Sequence, residues 1–294
     1  MTTSSPQGRL LPVHETHLFV VERGPQDALP VLVLHGGPGL DSRSFGDYLD
    51  PLADAYRLVL VDGRNQGRSD RDTDPASWTL AQHASDVSAV AAALGVERYA
   101  VLGHSFGAFV ALQHATDAPG AAVATIASSG VPATRFLDAV EQGLAVFEPE
   151  ELREQVTQSW AREATVERDE DVAALMADQM PWHFADPRDP RIPGFLERTS
   201  GGLGSAAVLR AASLEGGGLA IEVEDALPRV RQPLLALAGR HDRTCVPAAS
   251  EAIAAAAPHG ELHVFEQSGH MTFAEQPEEF VSVVREFLDR VPKA

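Results

Sequence analysis

The chain has 294 residues, 44% hydrophobic and 22% charged, and carries a formal net charge of −19. That length suits one large domain, or a domain with an insertion, and can bury a substantial core. The acidic balance argues against nucleic-acid or anionic-membrane partners, no apolar run approaches membrane-spanning length, and the single cysteine, Cys245, leaves no internal disulfide.

The first residues, Met1-Thr2-Thr3-Ser4-Ser5-Pro6, lack the basic-then-apolar pattern of a secretion signal, so a cytoplasmic location is expected. Residues 11–23 (LPVHETHLFVVER) read as a strand pair or hairpin. PVLVLHG (30–36) and YRLVLVDGR (56–64) are short β-rich runs ending in Gly or polar residues, as buried parallel strands do. In 79–96 (TLAQHASDVSAVAAALGV), Leu80, Ala84, Val87, Val90, Ala91 and Leu94 fall at helical spacing, and Gly95 ends the run. RYAVLGHS (98–105) predicts a third central strand leading into an apolar helix, FGAFVALQHA, and AAVATIASSG (121–130) a fourth.

From about 134 to 217 the strand–helix rhythm breaks into helices such as EELREQVTQSWAREA. Between Glu148 and Asp171 stand nine acidic and three basic residues, so this insertion is markedly acidic. A helical insertion between strands is expected to cap the strand ends, where ligands bind in open α/β sheets. The rhythm then resumes with PLLALAGRHD (233–242), an Ala-rich helix at 248–257, ELHVFEQSGH (261–270) and a closing helix from Pro277 to about Arg290. Strands separated by helices imply a mostly parallel sheet with helices on both faces.

The sharpest motif is Gly103-His104-Ser105-Phe106-Gly107, a G-x-S-x-G between a predicted strand and a predicted helix. That is the context of a nucleophile elbow, which exposes the Ser105 hydroxyl on a strained turn. A Cβ at residue 103 or 107 would clash where strand and helix approach. A serine hydroxyl needs a base and a group to orient that base. Asp242 and His270 close the last two strand-like runs, giving the chain order Ser, Asp, His. His241 reads as turn scaffolding. Glu266 reads as lying within the last strand, too close in sequence to His270 to reach behind it.

His35-Gly36-Gly37-Pro38-Gly39 follows the strand-like run PVLVL (30–34) and admits three readings: a phosphate cradle, an oxyanion site or a tight turn. No G-x-G-x-x-G or G-K-[ST] is present, and Pro38 interrupts any donor series. A mere turn would not need so many glycines opposite a nucleophile. The loop is therefore expected to serve an oxyanion, with backbone donors at Gly37 and Phe106 worth roughly 3–4 kcal/mol each. Gly36 and Gly39 would let substrate approach the backbone. Asp62 is expected to tie down a neighbouring loop, and His35 to pack or hydrogen-bond beneath the glycines. Cys245 reads as a small buried residue. A metal cluster of His241, Asp242, His263 and His270 is disfavoured because the histidines lack helical i, i+4 spacing. No cofactor or metal is expected.

Over nearly its whole length the chain resembles the α/β-hydrolase superfamily, which implies an eight-stranded, mostly parallel sheet with helices on both faces. It also implies a core of residues 1–133 and 218–294, with a helical lid at 134–217. HGGPG is similar to the corresponding loop of the proline iminopeptidases, serine aminopeptidases that release an N-terminal residue, often proline, from short peptides. DGRNQGRSD (62–70) resembles that family's D-Q-R-G-x-G-R-S at Asp62, Arg64, Gly67, Arg68 and Ser69, and departs from it at Gly63 and Asn65. The better-known members carry G-G-S-W-G, whereas His104 and Phe106 give the G-H-S-F-G common in esterases, lactonases and carbon–carbon bond hydrolases. An archaeal branch of the peptidases also uses G-H-S-x-G.

In that family, acidic lid residues bind the substrate's ammonium. The resemblance makes Glu163 and Glu215 candidates here, against the plainer reading of a solvated helix face, and Trp160, Trp182 and Phe184 read either as pocket walls or as core side chains. The expected activity is hydrolysis of a short peptide or amide with a free N-terminus; an ester or lactone is the alternative, and a silent binding protein the remote one. Oligomeric state is not legible.

Overall fold

The computed structural model describes residues 8–213 and 219–291. Eight strands form one sheet: β1 (Arg9–Val13), β2 (Thr16–Arg23), β3 (Pro30–Leu34), β4 (Arg57–Val61), β5 (Ala100–His104), β6 (Ala124–Ser128), β7 (Leu234–Gly239) and β8 (Gly260–Phe265). Their spatial order is β1-β2-β4-β3-β5-β6-β7-β8. β1 and β2 pair antiparallel, as do β2 and β4, while every pairing from β4 through β3 to β8 is parallel. The expected mostly parallel, eight-stranded sheet is what the chain forms.

Strands β3 to β7 are buried at every residue, which is why they read as continuous apolar runs rather than alternating ones. Alternate side chains nevertheless serve opposite faces. Leu32, Val59 and Val101 join one core with Val87 and Val90 of α1 (Leu80–Ala93), Ala111 of α2 (Phe106–Asp117) and Ile253. Val31, Leu58 and Leu102 join the other, with Phe280, Val284 and Phe287. Thr79 caps α1 by accepting the Gln82 N–H at 3.1 Å.

Between β6 and β7 the chain leaves the sheet and forms α3 (Ala139–Ala145), α4 (Glu150–Arg162), α5 (Asp169–His183), α6 (Ile192–Arg198) and α7 (Ala206–Ser213). It returns through β7, α8 (Pro247–Ala256), β8, a short α9 (Thr272–Glu275) and α10 (Pro277–Asp289). Parallel strands put the residues that follow β3, β5, β7 and β8 at one rim, the place where open α/β sheets bind ligands. No described helix is long and apolar enough to cross a membrane.

Candidate active site

Ser105 sits between β5 and α2 with φ 54° and ψ −119°, a conformation that costs a non-glycine residue about 1–3 kcal/mol. Its N–H donates to the Ser128 carbonyl at 2.9 Å, which fixes the turn against β6. The flanking glycines are required by space. A Cβ on Gly103 would lie 2.0 Å from the Gly107 carbonyl oxygen, and one on Gly107 would lie 2.1 Å from that of Leu34.

Three residues past β7, Asp242 turns inward. Its Oδ1 accepts the N–H groups of Thr244 and Cys245 at 2.9 Å each, and its Oδ2 lies 2.8 Å from His270 Nδ1. Both side chains are buried. A carboxylate partner makes Nδ1 the protonated nitrogen of His270 and leaves Nε2 as the free acceptor. Further bonds hold this residue: its N–H donates to the His183 carbonyl at 2.6 Å, and its own carbonyl accepts from Ser129 Oγ at 3.0 Å. The rings of His104 and His183 flank it, each with its centroid 5.0 Å away. Burial holds both flanking imidazoles well below their usual range, so the neighbours are neutral.

Ser105 and His270 share the wall of a cavity of about 1180 Å³. The Ser105 hydroxyl is not hydrogen-bonded to His270, whose ring bonds in this way only to Asp242 among the described residues. Such bonds commonly tighten only in the complex with substrate.

The loop after β3 lies directly against the elbow, since a Cβ on Gly36 would come 3.3 Å from Ser105 Cβ. Gly37 has φ +121°, in the region glycine favours, and with Gly36 and Pro38 it lines the cavity. Phe106 opens α2, where helix amides have no partner within the helix. Below the loop, His35 Nε2 accepts the Gly63 N–H at 3.0 Å, so its Nδ1 carries the proton and donates to the Gly36 carbonyl at 2.7 Å. Asp62 is buried and accepts from Ser42 and Arg68, with charge-assisted bonds of 2.8 and 3.0 Å from the Arg68 guanidinium. Despite the opposing effect of burial, these donors hold its carboxyl below the usual range.

The pattern of the α/β-hydrolase fold matches residues 30–277. The chain belongs to that family. Among similar proteins, a proline iminopeptidase of Heyndrickxia coagulans is 27% identical over 89% of this chain and 91% of its own. A proline iminopeptidase of Clostridium botulinum is 25% identical over 94% and 95%. Among solved structures, a proline iminopeptidase of Mycobacterium smegmatis superposes with a TM-score of 0.76 at 26% identity, covering 97% of this chain and 98% of that one. An esterase of Thermogutta terrifontis shares the fold, with a TM-score of 0.74 at 22% identity over 98% and 100%.

In this α/β hydrolase, helices α4, α5 and α7 supply much of the cavity's far wall. Glu163, just past α4, reaches it half-buried. Its Oε1 accepts from Gln179 at 2.7 Å and its Oε2 from Ser213 at 3.3 Å, while burial raises its carboxyl above the usual range. Trp160 also lines the cavity. Trp182 does not: it is 1% exposed, packs with Leu144, Phe147 and Val156, and donates to Thr244 Oγ1 at 2.9 Å. Phe184 is likewise fully buried, packed in the core beside Phe195. Of the two readings both side chains take the core one, because the direction of an aromatic side chain on α5 or just past it depends on its packing. Glu215 lies outside the described residues.

Glu266 is a residue beyond β8, exposed and paired with Arg240 at 2.7 Å. Its competing claim fails on exposure. His241 is exposed, and His263 pairs with Glu279 at 3.0 Å. Asp242, Cys245 and His270 place ligand atoms within 4.8 Å of one another, yet both carboxylate oxygens and His270 Nδ1 are already engaged with each other and the backbone. Burial pushes the Cys245 thiol far up, so it supplies no thiolate.

Gln66 passed unnoticed in the sequence. Its Oε1 accepts the Gly39 N–H at 2.6 Å, and Gly63 leaves it room, since a Cβ there would meet Gln66 Nε2 at 2.6 Å. Asn65 adopts φ 56°, the left-handed conformation that a glycine or asparagine takes easily. The two departures from D-Q-R-G-x-G-R-S are thus both accommodated by the local backbone. A signal was available, because a glutamine in the x position of a loop motif is a ready side-chain acceptor.

Proposed function

We propose that this protein is a serine hydrolase acting through an acyl-enzyme, and specifically an aminopeptidase that releases an N-terminal proline or similar small residue from short peptides. The observation that carries the mechanism is the 2.8 Å bond between Asp242 and His270 on a cavity onto which Ser105 also opens. Ser105 Oγ attacks the carbonyl carbon and its proton passes to His270 Nε2. The N–H groups of Gly37 and Phe106 hold the oxyanion, each worth roughly 3–4 kcal/mol. The C–N bond then breaks, His270 returns the proton to the departing amine, and the new N-terminus leaves. Water repeats the cycle on the acyl-enzyme and frees the amino acid. Asp242 keeps the imidazole in the required tautomer.

Helices α3 to α7 act as the cap in this reading. Glu163 supports the peptidase assignment: a half-buried carboxylate facing an apolar cavity is suited to a substrate ammonium, whose charge would counter the upward pull of burial on its carboxyl. The near full-length similarity to proline iminopeptidases of two bacteria points the same way. The G-H-S-F-G elbow favours a second reading, a small-ester or lactone hydrolase.

Arylamides of proline, alanine and acetylated proline, assayed beside aryl esters, separate the two. The peptidase reading expects turnover of the unblocked arylamides and little of the acetylated one; esters cleaved with no unblocked amide turned over would reject it. A fluorophosphonate probe should label Ser105 in wild type and not in Ser105→Ala, which should lose turnover by on the order of 10⁴–10⁶. Absence of an adduct in folded wild-type protein would overturn the serine mechanism itself.

A further inference from the structure

We propose that Glu275 is a positioning residue that fastens the end of α5 to the loop carrying His270, so that the base takes part of its orientation from the cap. This rests on the reading of His270 as the base.

Glu275 closes α9, five residues after His270, and is 3% exposed. Its two oxygens serve different segments. Oε1 accepts the N–H of Ala185, just past α5, at 2.7 Å, and Oε2 accepts the N–H of Gly269, the residue before His270, at 2.9 Å. One carboxylate thus bridges the cap exit and the base loop. The bridge is doubled by the His270 N–H, which donates to the His183 carbonyl at 2.6 Å. Space confirms how closely the two segments are pressed: a Cβ on Gly269 would lie 2.5 Å from the His183 carbonyl oxygen and 2.7 Å from the Ala185 nitrogen.

The acid side is fastened to the same stretch. Arg243, next to Asp242, donates to the carbonyls of Trp182, Phe184 and Ala185 at 3.1, 2.7 and 2.9 Å. Residues 182–185 therefore lie between the acid loop and the base loop, held to each by side chains that do not face the reacting atoms. Arg191 completes the seat by donating to the Glu275 carbonyl at 2.6 Å. The Gly269 amide is the last donor before the base, so its loss frees the peptide that leads into His270. A buried carboxylate accepting two backbone N–H groups is a costly feature that a hydrophobic contact could replace if only packing were needed.

The test uses the full chain with Glu275→Ala and the isosteric Glu275→Gln, which keeps a single acceptor oxygen. Proton NMR follows the low-field resonance of the His270 Nδ1–H held by Asp242, assigned by its loss in His270→Gln. Steady-state kinetics and the rate of fluorophosphonate labelling accompany it. Glu275→Ala should retain its folded circular dichroism, broaden or shift the resonance, and lose roughly 10–100-fold in kcat with KM within twofold. Glu275→Gln should fall between it and wild type. If Glu275→Ala does not fold, Glu275→Gln decides: a kcat lowered at least threefold with KM kept supports the proposal. An unmoved resonance with wild-type kcat in a folded variant overturns it. The resonance needs no substrate, so a wild-type protein that shows it but resists labelling would reject the serine mechanism instead.

Discussion

The imidazole of His270 and the carboxylate of Asp242 meet at 2.8 Å with both groups withdrawn from solvent, although 28 residues separate them in the chain. Asp242→Asn keeps the shape and the Thr244 and Cys245 contacts but offers His270 an amide that favours the wrong tautomer. Turnover should fall by about 10³–10⁴ with unchanged thermal stability within a few degrees. Kinetics and a melting curve on the same preparation check this; near wild-type turnover would remove Asp242 from the mechanism.

Glu163 predicts a selective defect. Glu163→Gln preserves the contacts to Gln179 and Ser213 in shape while deleting the negative charge. KM for unblocked aminoacyl arylamides should rise about tenfold or more, the effect of losing one charge-assisted contact worth roughly 1.5–3 kcal/mol. Aryl esters without an amine should be unaffected. An equal rise for both substrate classes would mean that Glu163 shapes the cavity and does not bind the ammonium.

At Gly107 the prediction concerns folding. Gly107→Ala drives a Cβ to 2.1 Å from the Leu34 carbonyl oxygen, backbone against backbone, where neither element can yield. A loss of roughly 3 kcal/mol or more is expected, measured as a lower urea midpoint or as insoluble expression. Gly194→Ala is the control, because nothing lies within 4 Å of the added methyl.

Acid sensitivity follows from buried imidazoles. Burial lowers His83 to about 3 and His114 to about 4, and holds His104 and His183 well below the usual range. The unfolded chain takes up protons at these positions below about pH 6.5 while the native state does not. Stability is therefore full above that pH and falls on acidification, by about 1.4 kcal/mol per histidine per pH unit. Glu275 acts oppositely. Burial pushes its carboxyl up to about 7, opposed by the Ala185 and Gly269 amides and Arg191 and reinforced by Asp189, so the native state binds its proton first. Between pH 7 and 4.5 that uptake partly offsets the histidines. Urea midpoints should drop from pH 7 to pH 5, and the drop should steepen in Glu275→Gln. A flat midpoint across this range would contradict the account.

What the sequence disclosed was local. The inner strands announced themselves because burial on both faces demands unbroken apolar runs, and the elbow because its glycines are dictated by contacts a few residues away. Asp242 and His270 could be singled out because a parallel sheet delivers the ends of β7 and β8 to one rim. Trp182 stayed open between pocket and core, because whether a tryptophan on α5 faces the cavity or Leu144 and Phe147 depends on how the stretch from α3 to α4 packs against α5. Gln66 and Glu275 escaped notice for a related reason. Each works by accepting a backbone N–H from a segment remote in sequence, and no residue pattern records where another segment's amide will point. Arg191 and Arg243 stand in no motif, yet they donate to carbonyls where the stretch after α5 meets the loops that follow β7 and β8.

The return of the chain from α6 to α7 bears on protein engineering. Ser205 donates its N–H to the Gly39 carbonyl at 2.8 Å, and Leu203 donates to Asp41 Oδ2 at 2.8 Å. If helices α3 to α7 were replaced by those of a relative with the seam placed before residue 203, Gly39 and Asp41 would have to be matched by foreign backbone, and a scrambled interface there would disturb the loop beside Ser105 even in a chimaera that folds. Splice points that carry 203–205 together with 39–41 keep the stitching native, so new specificity can be grafted while the reactive centre is left undisturbed.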